Sequence, residues 1–146
     1  MTVTRPGPTD GEGGEGGEVL AIASDHDVVR VRQAVRSAAV GANLSLVDQT
    51  KVITAASELA RNTLTHGGGG HAWLCEVSNG RRTGVRVEFV DRGPGIADLA
   101  EALMDGFTTG TGLGLGLSGA RRLVDEFEID SVPGEGTRVT VVKWSR

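Results

Sequence analysis

The run HAWLCEVS-NGRR-TGVRVEFVD, His71 to Asp91, narrows most what this chain of 146 residues can fold into. Two strand-like segments flank Asn79-Gly80, a pair suited to a tight hairpin turn. A hairpin commits its strands to antiparallel pairing, and FEIDSV-PGEGT-RVTVVKW near the C-terminus makes a second one. Regular βαβ alternation is thereby excluded. The segments before the first hairpin are EVLAIAS, which reads as a strand with Val19, Ala21 and Ala23 on one face, and two helical runs. The first follows the cap candidates SDHD, carries Val28, Val31, Val35 and Ala38 at helical spacing and ends at Gly41. The second opens with Ser45 and Asp48 in capping-box-like spacing and runs to His66, where Gly67 to Gly70 stop it. Between the hairpins come RGPGI as a turn, ADLAEALMDG as a short helix, a glycine-rich loop and the helix LGLSGARRLVDEF. The order β-α-α-β-β-α-loop-α-β-β predicts a two-layer α/β (α+β) sandwich. Its sheet is mixed, mostly antiparallel, with the helices on one face.

Composition sets the outer limits. Residues 1–17 are Gly/Glu/Pro-rich, bury too little apolar surface to offset ordering, and are expected to be a disordered tail. Residues 18–146 then form one domain. The opening stretch through Glu18 holds Asp10, Glu12, Glu15 and Glu18 against Arg5, so the remainder is nearly neutral. That speaks against nucleic acid as a partner. No apolar run approaches a membrane span and no signal peptide is read at the start. The single cysteine, Cys75, rules out an internal disulfide, fits a cytoplasmic location and reads as a small buried hydrophobe on a strand.

Chemistry gathers at three places. On ELARNTLTH, Glu58 and Asn62 stand four apart and share a helical face, away from the stripe of Ile53, Ala56, Ala60 and Leu64. That face reads either as solvated surface or as a carboxylate base beside an amide oxygen suited to Mg²⁺, which needs only one or two protein oxygens on a nucleotide. His66, one turn on, reads as a helix C-cap, where a cation suits the dipole. After a strand, Asp91 is followed by Gly93 and Gly95. This is either an ordinary turn or a carboxylate able to accept a hydrogen bond from the exocyclic amine of adenine. Finally, DGFTTGTGLGLGLSGARRL sets six glycines in nineteen residues ahead of a helix. Gly114, Gly116 and Gly119 satisfy G-x-G-x-x-G, yet no strand precedes them, so the dinucleotide-binding reading fails. What remains is a loop from Gly106 to Gly112 feeding a helix N-terminus that favours a phosphate anion. Thr108, Thr109 and Thr111 are either hydroxyl donors to phosphate or filler.

Together, E-x-x-x-N on a helix, D-x-G-x-G after a strand, G-x-G-x-G before a helix and a final G-T resemble the GHKL ATPase superfamily. Its members share the Bergerat ATP-binding α/β sandwich. The resemblance runs from about Glu18 to Arg146. It implies ATP and Mg²⁺ as cofactors, Glu58 as general base, Asn62 as the Mg²⁺ ligand and Asp91 on the adenine amine. It further implies Gly93 and Gly95 as walls of the base site, and Gly112, Gly114 and Gly116 along the phosphates. Thr137 would support Asp91 through water. A free-standing domain of this kind resembles the anti-sigma serine kinase branch, as do SELARNTLTHGGGG and the ending VKW. Members of its stress-signalling type phosphorylate serine or threonine on STAS-domain antagonist proteins and, once released, activate a PP2C-type phosphatase. Two alternatives are an anti-sigma kinase that binds a sigma subunit directly and an ATP-dependent binding module without turnover. Arg92 departs from the usual acidic or polar residue at its position.

Overall fold

The computed structural model describes residues 2–3, 17–104 and 113–146, with side chains described for 17–104 and 116–146. Ten elements follow in order: β1 (Thr2–Val3), β2 (Glu18–Ile22), α1 (Asp25–Gly41), α2 (Leu46–Thr65), β3 (Gly70–Ser78), β4 (Thr83–Asp91), α3 (Leu99–Ala102), α4 (Leu113–Leu123), β5 (Glu126–Val132) and β6 (Gly136–Trp144). The strands form one sheet in the order β1-β5-β6-β4-β3-β2. Every pairing is antiparallel, so the expected sandwich stands with no parallel pair among the described strands.

Both hairpins form where the turn chemistry places them. At the β3–β4 turn the Asn79 side-chain oxygen accepts from the amides of Arg81 at 2.9 Å and Arg82 at 2.8 Å. The helix starts follow their capping residues. Ser24 accepts from the Asp27 amide at 3.3 Å while Asp27 accepts from the Ala23 amide at 2.8 Å, a box-like pair whose second bond falls one residue before the cap. Ser45 likewise accepts from Asp48 at 3.1 Å.

The core lies between the helices and one face of the sheet. Leu20, Leu74, Val87, Phe89, Ile129 and Val141 meet Val28, Val35, Val52 and Leu59 there. In β2 the inward residues are Leu20 and Ile22; Val19 is exposed, so the trio Val19, Ala21 and Ala23 belongs to the outer side. Cys75 is buried, but it falls outside the helix-facing core, and burial pushes its thiol up. Its register partner Arg86 lies over the Trp73 ring, 5.5 Å from the centroid.

The tail expected over residues 1–17 falls mostly outside the described residues. Thr2 and Val3 depart from it by pairing with Asp130 and Ile129 at one edge of the sheet. No described helix is long and apolar enough to cross a membrane.

Candidate nucleotide site

Asp91 is the last residue of β4 and pairs with Gly70 of β3 on one side and Thr137 of β6 on the other. Its carboxylate therefore emerges near the middle of the sheet, at the end of a strand buried on both edges. The Gly93 amide donates to Asp91 Oδ1 at 2.9 Å, and the Thr137 backbone also hydrogen-bonds the carboxyl group. Burial pushes the Asp91 carboxyl above the usual carboxylate range, and these hydrogen bonds and the nearby His66 pull it part of the way back. The Thr137 hydroxyl is engaged elsewhere, 2.8 Å from Ser131 Oγ.

Over this carboxylate lies the C-terminal end of α2. Helical spacing brings Asn62 and His66 to one side of it, and both line the same cavity as Asp91, Gly95 and Thr137. Two of the buried side-chain atoms there, Asn62 Nδ2 and His66 Nε2, have no hydrogen-bond partner among the described residues. Buried polar groups are nearly always paired, so each calls for an occupant of the cavity. The approach of α2 to β4 depends on Gly67: a Cβ there would overlap the Asp91 side chain. The sequence reading took Gly67 only as part of a helix stop and so missed this contact.

The floor and walls are Leu59, Phe89, Ile96, Leu117 and Val139, apolar surfaces suited to a flat ring. The turn carrying Gly95 (φ 75°) is pinned by Ser131, whose Oγ accepts from the Ile96 amide at 2.8 Å. Gly95 needs this left-handed backbone, and a Cβ there would strike the Val132 carbonyl. Ser131 has no motif of its own, and sequence reasoning passed over it. Cavity volume is about 50 Å³. That exceeds the ~10–15 Å³ one water needs but is below the ~300–1,000 Å³ of typical ligand clefts.

Glu58 lies one turn before Asn62 and is exposed. The Glu58–Asn62 face is not simply solvated, because α4 packs on it through Gly116. A Cβ at Gly116 would come within 3.1 Å of Asn62 Nδ2 and 3.3 Å of Glu58 Oε1. The structure thus brings Asn62, Asp91, Gly95 and Thr137 into one cavity, sets Glu58 and Gly116 beside Asn62, and uses Gly93 to hold Asp91. Gly114 is described as helix backbone only, while Gly112, Thr108, Thr109 and Thr111 lie outside the described residues. His66 occupies the expected α2 C-cap, but burial lowers its pKa against the opposing pull of Asp91. Burial thus works against the cation expected at a helix end.

No three His, Cys, Asp or Glu side chains gather as a metal cage among the described residues. A cation held chiefly by phosphates and water, with one amide oxygen from Asn62, still fits this donor set.

Comparison with known proteins is consistent with this geometry. Residues 47–145 match the family described as histidine kinase-, DNA gyrase B- and HSP90-like ATPases. The chain is 42% identical over 127 residues to the serine/threonine-protein kinase RsbT of Bacillus subtilis (strain 168), covering 87% of this chain and 96% of the relative. It is 31% identical over 97 residues to an anti-sigma F factor of Thermoanaerobacter sp. (strain X514), covering 62% of this chain and 66% of that protein. A crystal structure of the RsbU and RsbW domains of a Mycobacterium tuberculosis protein superposes with a TM-score of 0.62 at 22% identity. That match covers 89% of this chain and 33% of the longer one, and it is a likeness of fold.

Proposed function

Because the chain belongs to the histidine kinase-, DNA gyrase B- and HSP90-like ATPase family, we propose that it is an ATP- and Mg²⁺-dependent protein serine/threonine kinase working as a partner switch. Its substrate is a STAS-domain antagonist protein, and once released it activates a PP2C-type phosphatase in general stress regulation. A cytoplasmic location goes with this role. The observation that carries the reading is the convergence of Asn62 and Asp91 on one apolar-walled cavity, with a sealed, unpartnered amide nitrogen on Asn62.

Bound Mg-ATP supplies the phosphoryl group and the counter-charge for its transfer. Asp91, held by the Gly93 and Thr137 backbones, accepts from the exocyclic amine of the base and so fixes its orientation. Asn62 would hold the cation through its amide oxygen, which would leave the nitrogen free to donate toward a phosphate oxygen. On the family resemblance, backbone amides of Gly112, Gly114 and Gly116 would line the phosphates. The exposed Glu58 carboxylate, one turn away, orients the attacking serine or threonine hydroxyl and takes its proton. As the new bond from that oxygen to phosphorus forms, the bond to the β-phosphate oxygen breaks and ADP leaves. Holding the groups in line supplies most of the rate.

Phosphorylation adds roughly −1.5 to −2 charges at pH 7 to the substrate, beside nucleotide phosphates and kinase acids. The product complex is therefore weaker than the substrate complex, and the reaction releases its own partner. The second reading, sequestration of a sigma subunit, is favoured by the anti-sigma F relatives. The deciding experiment mixes the purified chain with labelled Mg-ATP and either a STAS-domain protein or a sigma subunit. Label on the STAS protein, lost with Glu58→Ala, and weaker binding of its phosphorylated form are expected. Tight binding to sigma with none to the STAS protein would establish the rival. ATP binding without any transfer would leave a binding module.

A further inference from the structure

We propose that His66 is a second reader of the base, its Nε2–H donating to a purine ring nitrogen while Asp91 holds the neighbouring exocyclic amine. This rests on the nucleotide reading of the cavity and adds to it a residue that the sequence reading took only as a helix cap.

His66 is fixed before any ligand arrives. It caps α2, and its amide donates to the Asn62 carbonyl at 2.9 Å, so the ring is set one turn beyond Asn62 on the same side. Its Nε2 is sealed from solvent, faces no described partner, and belongs to a residue lining the cavity with Asp91. The two side chains are close enough for their charges to interact.

Elimination narrows the role. A carboxylate only accepts, whereas the purine edge beside an exocyclic amine presents ring nitrogens that need a donor. Donors near Asp91 are mostly committed. The Gly93 amide is spent on Asp91 and the Thr63 hydroxyl on the Leu59 carbonyl at 3.0 Å, while the Thr137 hydroxyl is paired with Ser131 Oγ at 2.8 Å, where either oxygen can donate. Asn62 Nδ2 is the other free donor, but its amide adjoins Gly116 and Glu58, on the side where α4 begins. His66 Nε2 is left to face the base. An acceptor carboxylate and a donor imidazole in an otherwise apolar pocket form the small convergent polar set that orients a ligand.

The test is a binding cycle in the full chain without Mg²⁺, using ADP, 1-deaza-ADP and 7-deaza-ADP as probes. Each is titrated calorimetrically into wild type, His66→Phe, which keeps a ring without nitrogen, and His66→Gln, which restores a donor. One deaza analogue should bind wild type about five- to tenfold more weakly than ADP, the size of one lost hydrogen bond. His66→Phe should lose a similar factor for ADP and show no further loss with that analogue, while His66→Gln recovers part of it. Independently, the Nε2 ¹⁵N resonance of His66, one of three histidines, should shift on adding ADP to the native protein. That measurement decides the matter if the Phe variant does not fold. Additive losses, or an unmoved resonance in a protein that binds ADP, would overturn the role of His66 and leave the nucleotide reading intact. No ADP binding by wild type would overturn both.

Discussion

Asp91 carries the sharpest consequence of a single side chain. Asp91→Asn swaps an acceptor-only group for an amide that can present its donor to the base, so ATP affinity should fall at least tenfold, about 1.4 kcal/mol. Unchanged affinity by calorimetry in the folded variant would remove Asp91 from the base site. Its raised pKa adds a pH signature. Protonation removes the charge and turns one accepting oxygen into a donor, so affinity should decline with acidification at a higher pH than an ordinary carboxylate gives. A group with a raised folded pKa favours the protonated fold, so this loss of binding need not bring unfolding with it. Titrating ADP affinity and thermal stability in parallel should show the first falling before the second. Glu58 and Asn62 divide the remaining work. Glu58→Ala should keep nucleotide binding and lose transfer, while Asn62→Ala should also weaken the Mg²⁺-dependent part of binding. Wild-type rates from both variants in a phosphotransfer assay would refute the mechanism.

Among the elements, the pairing of α2 with α4 would, on the proposed function, set the room for phosphates. Gly116 is buried against Asn62 and Glu58, and a methyl group there would press on both. In a helix interior, glycine to alanine gains about 0.5–1 kcal/mol of propensity, which offsets part of the crowding. Gly116→Ala should therefore fold with stability near wild type but bind Mg-ATP several-fold more weakly, the reverse of what a purely structural glycine predicts. Amide exchange across residues 105–116 should slow when Mg-ATP is added to the wild type. Identical exchange with and without nucleotide would deny the glycine segment any contact with phosphate.

At the level of the whole molecule, the two layers are joined by a buried charge cluster at the end of the sheet where β6 finishes. Lys143 of β6, 3% exposed, lies 3.6 Å from Asp48 in the first turn of α2 and 3.5 Å from Asp125 between α4 and β5. Arg146 joins Asp125 at 3.0 Å and Asp48 at 3.5 Å but is largely exposed. Burial pushes the Asp125 carboxyl up, yet the Trp144 amide, Lys143 and Arg146 outweigh it and hold its pKa below the ordinary value. Asp125 thus contributes stability above the ordinary carboxylate pKa, and loses it as pH falls through the lower folded value. Lys143→Ala leaves the buried Asp48 carboxylate beside the exposed Asp125 with only Arg146 as counter-charge, and should cost up to about 3 kcal/mol in urea unfolding, the low end for a broken buried pair. Arg146→Ala should cost under about 1 kcal/mol, as exposed pairs do. Equal effects would mean that water reaches the cluster.

Local chemistry made much of this molecule legible. Asn79-Gly80, Ser24 with Asp27, and Ser45 with Asp48 act within a few residues of themselves, so turns, caps and the antiparallel hairpins could be read from spacing alone. Asn62 and Asp91 were visible for the same reason, each sitting on a short motif. The sequence left open which face of β2 turns inward, because Val19-Leu20-Ala21-Ile22 is apolar on both sides and only packing against α1 and α2 chose Leu20 and Ile22. It was also silent on Gly67 beneath Asp91, Ser131 holding the Gly95 turn, and Lys143 between Asp48 and Asp125. Those contacts join residues distant in the chain, and their energy exists only once the sheet and helices are stacked. His66 shows the division within one side chain: its place at the helix end follows from the glycines after it, while the burial of its unpartnered Nε2 is decided by what folds over it.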